Sequence, residues 1–270
     1  MHTGAREVAC VRPHWREDMS DLTGLFWTQD GIPIPAVTAE QMREVDRIAV
    51  EEFGLGILQM MENAGRNLAA NVVEMLAGQD GEVTVLVGAG GNGGGGLCAA
   101  RHLHNRGYRV NLILDREASA LGDAAANQLR ILQVAGLRPV DPSGVEEAIR
   151  RADVVVDALI GYSLRGAARG RAAELIDLCN AHAKGVLSLD VPSGLDATTG
   201  ETPGAMVHPD RTLTLALPKT GLAAISGELY VADIGIPPEV YESLGLSFKS
   251  FFQNRYWIPL QRRAESTPDR

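Results

Sequence analysis

Two aspartates, Asp157 and Asp190, each close an apolar run and open into a loop rich in Gly and Ser. The first stands in Val154-Val155-Val156-Asp157-Ala158-Leu159-Ile160-Gly161-Tyr162-Ser163-Leu164-Arg165-Gly166, the second in Val186-Leu187-Ser188-Leu189-Asp190-Val191-Pro192-Ser193-Gly194-Leu195-Asp196. A carboxylate at the end of a buried strand costs free energy unless a partner or ligand meets it. Either acid alone reads as a helix cap; two at adjacent strand ends point to a site. A third loop lies upstream, with seven glycines among residues 88–96 between Val83-Thr84-Val85-Leu86-Val87 and Leu97-Cys98-Ala99-Ala100. That pattern predicts strand, glycine loop and helix. A backbone without Cβ atoms can approach a ligand closely, and free N–H groups at a helix start favour phosphate. The competing reading is a long flexible turn. Gly88-x-Gly90-x-x-Gly93 fits the dinucleotide fingerprint, with Asp115 ending the next strand where a ribose-binding acid belongs. In a run this rich in glycine the fingerprint also arises by chance. There is no GxxxxGK and no Gly-x-Ser-x-Gly, and the six histidines show no metal-ligand spacing.

The elements that must hold these loops follow from periodicity. Thr38-Ala39-Glu40-Gln41 has capping-box spacing and precedes Met42, Val45, Ile48 and Ala49 on one helical face. A second helix runs from about Ile57 to Met75 and closes near Gly78. Strands are predicted at Tyr108–Asp115, Ala152–Asp157, Val186–Asp190, Thr212–Ala216 and Leu229–Asp233. Helices are predicted around Gly122–Val134, from the capping spacing Ser143-Gly144-Val145-Glu146 to Arg151, and at Ala172–Ala183. Strands alternating with helices predict an α/β fold: a doubly wound, mostly parallel sheet with helices on both faces, Rossmann-like. In such a sheet ligands bind outside the carboxyl ends of the strands, where all three loops fall. Residues 1–35 read as an extension docked through Trp15 and Trp27, residues 36–246 as one domain, and residues 247–270 as a tail that ends in disorder.

Composition bounds the function. Hydrophobic residues make up 45% and charged residues 22%, ordinary for a globular chain. A net charge of −9 argues against nucleic-acid binding, which relies on basic residues, yet permits a single nucleotide in a local cradle. No run approaches the ~20 apolar residues of a membrane helix, and the start of the chain lacks the apolar core of a signal peptide. Cys10, Cys98 and Cys179 form no CxxC pair, which fits a reducing, cytoplasmic setting and no zinc site.

Five motifs carry a resemblance over about residues 36–246. They are Met61-Glu62-Asn63-Ala64-Gly65, the glycine loop, Asp190-Val191-Pro192-Ser193-Gly194-Leu195-Asp196, Leu217-Pro218-Lys219 and Asp233-Ile234-Gly235-Ile236-Pro237. In this order they resemble the YjeF N-terminal domain family, which contains the NAD(P)H-hydrate epimerases. The resemblance implies a Rossmann-like homodimer that interconverts the R and S forms of hydrated NADH and NADPH (NADHX and NADPHX), with a separate dehydratase completing the repair. Carried over residue by residue, Asn92, Asp157 and Ser193 match positions that hold a potassium ion. Gly91, Asn92, Gly93, Gly94 and Gly95 match the substrate-binding loop, together with Gly161, Tyr162, Ser163, Leu164 and Asp190. Asp190 matches the catalytic acid. The family loop usually reads GxGNNGGDGL; here Gly91 replaces its first Asn and Gly95 its Asp. Arg165 stands where eukaryotic members carry a lysine, and it cannot give up a proton; as a catalytic residue it would only balance charge. The resemblance implies a proton carrier at the hydroxyl of ring carbon C6, and Asp190 is the candidate. The alternatives are a non-catalytic nucleotide-binding or scaffold module of the same fold, and a conventional NAD dehydrogenase. The methionines Met42, Met60, Met61 and Met75 suggest dimerisation through the two N-terminal helices, or equally packing onto the chain's own sheet.

Overall fold

Local chemistry sets the first helix. Thr38 accepts from the backbone of Gln41 while the Gln41 side chain accepts from the backbone of Thr38, a reciprocal cap that starts α1 (Ala39–Arg47). A π turn at Ile48–Glu52 extends it. In this computed structural model, which describes residues 23–262, α1 is preceded by β1 (Thr23–Thr28) and β2 (Pro33–Pro35). Then come α2 (Ile57–Met75), β3 (Glu82–Val87), α3 (Gly91–His104), β4 (Arg109–Leu114), α4 (Asp123–Val134), α5 (Val145–Arg151) and β5 (Val154–Ala158). The chain continues through α6 (Arg171–His182), β6 (Val186–Leu189), β7 (Arg211–Leu215), β8 (Glu228–Ala232), α7 (Pro238–Ser243) and β9 (Trp257–Arg262).

All nine strands form one sheet in the order β2-β1-β9-β8-β7-β6-β5-β3-β4. From β8 to β4 every pairing is parallel; β9, β1 and β2 add an antiparallel edge. Alternation along the central strands separates two of the three cores among the described residues. Val83, Val85 and Val87 pack with Leu68, Leu97, Leu103 and Leu129 of α2, α3 and α4 on one face. Leu86, Val155 and Val186 pack with Ile149, Leu175 and Ile176 of α5 and α6 on the other. The doubly wound expectation is met. The chain leaves β3 toward β4 on one side, then crosses to β5 and builds the rest of the parallel sheet on the other. The reversal, and with it the ligand crevice of such folds, lies between the carboxyl ends of β3 and β5.

Three readings of the sequence are corrected. The glycine run is mostly helix: α3 starts at Gly91, so only residues 88–90 connect it to β3, and none of these glycines has a positive φ. Their role is close packing. A Cβ on Gly93 would lie 1.8 Å from the Gly88 carbonyl oxygen, and one on Gly96 would lie 2.6 Å from Ala158 Cβ. Gly65 of α2 meets Cys98 of α3 in the same way, at 2.5 Å. Second, Ser143 does not cap α5. It lies in a 3-10 turn capped by Asp141, and no side chain caps Gly144. Third, the sheet runs past residues 36 and 246, since β1 and β2 come from the presumed extension and β9 from the presumed tail. Trp27 lies in β1; Trp15 and the last residues fall outside those described.

Candidate active site

Parallel pairing places the strand ends side by side. Asp157 is in register with Leu86 of β3 and Ser188 of β6, so its side chain projects on the same face as that of Ser188. The carboxylate is fully buried. It accepts from Ser188 Oγ (2.8 Å), Ser193 N (2.8 Å), Ser193 Oγ (2.5 Å) and Leu159 N (3.3 Å), all neutral donors. Burial pushes its pKa up, and these hydrogen bonds oppose the shift. Ser193 Oγ also accepts from Ile160 N at 2.8 Å, which closes the β5 loop over the acid. Asn92, in the first turn of α3, donates from Nδ2 to the Leu189 carbonyl at 3.1 Å, one residue before Asp190. Hard oxygens around one buried carboxylate with no basic partner suit a monovalent cation better than a divalent one, which calls for more carboxylates or water. Asp157 and Ser193 are in direct contact, and Asn92 is tied to the same loops through β6. The donor chemistry therefore suits a monovalent cation, at a carboxylate whose two oxygens also accept from Ser188, Ser193 and Leu159.

Asp190 is held differently. Its φ of 70° lies in the left-handed region, uncommon outside glycine. Its Oδ1 receives a short hydrogen bond from Lys219 Nζ and faces Leu215 N at 3.3 Å and Thr214 Oγ1 at 3.4 Å. Asp190 and Lys219 form a buried ion pair. Lys219 is 1% exposed and also donates to the Leu215 carbonyl at 2.9 Å. The segment before α1 fixes it: Val37 N donates to the Pro218 carbonyl and Thr220 N to the Val37 carbonyl. The other carboxylate oxygen, Oδ2, lies 3.4 Å from Tyr162 N. A Cβ on Gly161 would lie 3.4 Å from Asp190 Oδ2 and 3.3 Å from Asn92 Oδ1. Glycine at 161 thus lets the β5 loop pass between the two.

Tyr162 connects a fourth element. Its hydroxyl donates to Asp46 Oδ2 of α1 at 2.5 Å, and Lys219 Nζ stands 5.7 Å from its ring centre. Burial pushes both the Asp46 carboxyl and the Tyr162 phenol upward. Above these groups opens a cavity of about 740 Å³. It runs from Asp190, Tyr162 and Asp46, past Gly90, Gly91 and Asn92, to Asp115 and Arg116. Arg165 and Arg169 also line it, so this acidic chain gathers three arginines at one opening.

The predicted residues divide. Gly91, Asn92, Gly95, Gly161, Tyr162, Ser163, Leu164, Arg165 and Asp190 all line the cavity. Gly93 and Gly94 do not; they are buried against Gly88 and Met61. Gly91 and Gly95 also part company, since a Cβ at 91 meets open space and one at 95 would lie 2.8 Å from Leu189 Cδ2. Arg165 is exposed and makes no hydrogen bond or ion pair among the described residues. The basic group that meets Asp190 is Lys219, whose motif the sequence displayed without disclosing its partner. Asp46 gave no sequence signal. Outside the cavity, Glu62, Cys98 and His102 bring their ligand atoms within 4.8 Å of one another, a grouping that histidine spacing did not reveal. Arg101 occupies it, pairing with Glu62 and lying 3.3 Å from Cys98 Sγ. Burial pushes that thiol up to about 12, so the cluster acts as a clamp between α2 and α3.

Comparison with known proteins agrees with this architecture. Residues 57–221 match the family model described as YjeF-related protein N-terminus. An NAD(P)H-hydrate epimerase of Dehalogenimonas lykanthroporepellens is 51% identical over 87% of this chain and 96% of its own length. One from Rhodopirellula baltica is 36% identical over the same shares. A bifunctional NAD(P)H-hydrate repair enzyme of Hyperthermus butylicus is 40% identical over 78% of this chain, which spans 40% of that longer protein. The crystal structure of yeast ynu0 superposes with a TM-score of 0.73, covering 84% of this chain and all of that one, at 24% identity, and shows the shared fold. The chain belongs to the YjeF N-terminal family.

Proposed function

We propose that this chain is an NAD(P)H-hydrate epimerase, an isomerase that interconverts the R and S forms of NADHX and NADPHX in this cavity. The observation that carries the reading is the buried Asp190–Lys219 pair, with Asp190 lining the cavity beside Gly161 at the carboxyl end of β6. The 51% identical epimerase supports it.

The centre to be inverted, C6 of the hydrated ring, bears a hydroxyl and is bonded to the ring nitrogen. As a carboxylate paired with Lys219, Asp190 begins as a base and takes the hydroxyl proton. The C6–N bond then breaks, C6 becomes a carbonyl carbon, and the electron pair moves to the ring nitrogen and its conjugated carboxamide. Closure on the other face of the carbonyl re-forms the C6–N bond, and Asp190 returns the proton. A positioned acid–base group of this kind contributes ~10²–10⁴-fold. Lys219 holds Oδ1 so that Oδ2 points at substrate, and Asp46 holds Tyr162 over the pair. The N–H groups at the start of α3, with Arg165 and Arg169 at the opening, face the pyrophosphate. Arg165, without a protein partner, adds charge only.

Potassium is part of this reading, at Asn92, Asp157 and Ser193. These residues would hold the ion, which would supply a positive charge beside Asp157 at the base of the loops around Asp190. Dimerisation also belongs to the proposal, on other grounds than methionines. Met42, Met60 and Met61 are buried in the chain's own core, whereas Val50, Phe53, Ile57 and Leu58 are exposed together around the start of α2. A dehydratase activity that completes the repair also belongs to the proposal, and the matched bifunctional repair enzymes support it. Among the described residues no helix is long and apolar enough to cross a membrane. Cys98 and Cys179 are free thiols, which agrees with a reducing, cytoplasmic location.

The test is interconversion of purified R- and S-NADHX, followed chromatographically with and without potassium. Catalysis well above the spontaneous rate is expected, and faster with potassium. Binding of nucleotide without catalysis would support the scaffold alternative. In ¹⁸O-water, ring opening keeps the original oxygen on C6 in the first turnovers, whereas loss and return of water exchanges it.

A further inference from the structure

Asp115 stands at the fingerprint position for a ribose-binding acid, yet the fold turns it away from that task. Its side chain is 2% exposed, and both oxygens are occupied by the next residue: Arg116 Nε donates to Oδ1 and Nη2 to Oδ2, each at 2.8 Å. Its backbone N–H donates to the Val87 carbonyl at 3.0 Å, which fixes the pair beside the glycine connection. The Arg116 side chain is 49% exposed and lines the same cavity as Asp190. A ligand reaching this end therefore meets a guanidinium fork.

Strand order sets what part of the substrate arrives there. Asp190 follows β6 and Asp115 follows β4, three places apart in β6-β5-β3-β4. At ~4.8 Å per strand the two ends are ~14 Å apart, the scale that separates the two ribose-bearing ends of a dinucleotide. With the hydrated ring at Asp190 and the pyrophosphate at the start of α3, the adenosine ribose falls at Arg116. A ribose with two free hydroxyls calls for an open carboxylate, which Asp115 does not offer. A 2′-phosphate calls for a braced guanidinium, which Arg116 does offer.

Resting on the epimerase reading, we infer that Arg116, braced by Asp115, reads the 2′-phosphate of the adenosine ribose, so that this chain favours NADPHX over NADHX. The test compares kinetics on both substrates for the wild type, Arg116→Ala and Asp115→Asn, with calorimetry of 2′,5′-ADP against 5′-ADP. The wild type should favour NADPHX through KM by about tenfold or more, as expected for a charge-assisted phosphate contact. Arg116→Ala should erase that preference by raising KM for NADPHX, with kcat and the NADHX constants within about twofold; Asp115→Asn should fall between, because the fork remains but loses its brace. Equal effects on both substrates, or none, would overturn the inference. Should the protein bind nucleotide but epimerise neither substrate, the epimerase reading fails while the calorimetry still decides this one: a tighter 2′,5′-ADP that loosens in Arg116→Ala supports it, and equal affinities reject it.

Discussion

Asp157 and Asp190 end neighbouring parallel strands, β5 and β6, yet they are set up for opposite tasks. Asp157 is sealed among neutral donors from Ser188, Ser193 and Leu159. Asp190 adopts a left-handed backbone, pairs with a buried lysine on one oxygen, meets Tyr162 N with the other and lines the cavity. One arrangement buries a carboxylate among neutral donors with no basic partner. The other keeps its counter-charge built in at the cavity wall. What separates the proposed cation site from the proposed proton carrier is the company of each carboxylate, since residue type and strand position are shared.

The contrast breaks most severely if the built-in charge is removed. Lys219→Met leaves Asp190 as an uncompensated buried carboxylate and should cost ~3–5 kcal/mol of stability, read by urea denaturation. The double change Asp190→Asn with Lys219→Met should recover most of that stability without recovering activity. Were the single variant as stable as wild type, the pair would not be the tight buried contact described.

A smaller effect tests the other carboxylate. Burial raises the Asp157 pKa, so in the window above its unfolded value the folded chain keeps a proton that the unfolded chain has lost. Stability therefore falls as pH rises through that window, and the loss is complete above the folded value. A cation beside the ionised group offsets the loss. Potassium should raise the melting temperature at pH 7.5, by ~2–4 °C per kcal/mol of binding free energy, and not at pH 4. Asp157→Asn should abolish the response, which thermal denaturation against a sodium control would show.

The smallest effects compare the two glycines that depart from the family loop. Gly95→Asp must push Leu189 aside on the strand that carries Asp190 and should cost ~1–3 kcal/mol. Gly91→Asn enters open space and should change stability by no more than ~0.5 kcal/mol. Equal losses in chemical denaturation would mean that Leu189 does not fill the place of the missing acid.

The parallel strands, the main helices and the Thr38–Gln41 cap were legible because periodicity and capping are local signals. The glycine run misled because glycine marks both flexible turns and tight packing, and only the third dimension shows Gly93 against Gly88 and Gly96 against Ala158. The edge strands β1, β2 and β9 were missed because pairing with the far end of the chain leaves little pattern in short segments. The candidate site was legible where the carboxylates end strands. It was not legible at Asp46, which meets Tyr162 from 116 residues away, nor in the closure of Lys219 onto Asp190, which depends on the turn after β7 and on its pairing with Val37.

The central claim is that Asp190 carries the proton, and Asp190→Asn tests it with shape nearly preserved. Epimerisation of purified R-NADHX and dinucleotide affinity should be measured on the same preparation. The account predicts a fall in kcat of at least ~10²-fold, toward the spontaneous rate, with binding within a few-fold of wild type. Epimerisation by Asp190→Asn at the wild-type rate would contradict it and place the proton carrier elsewhere.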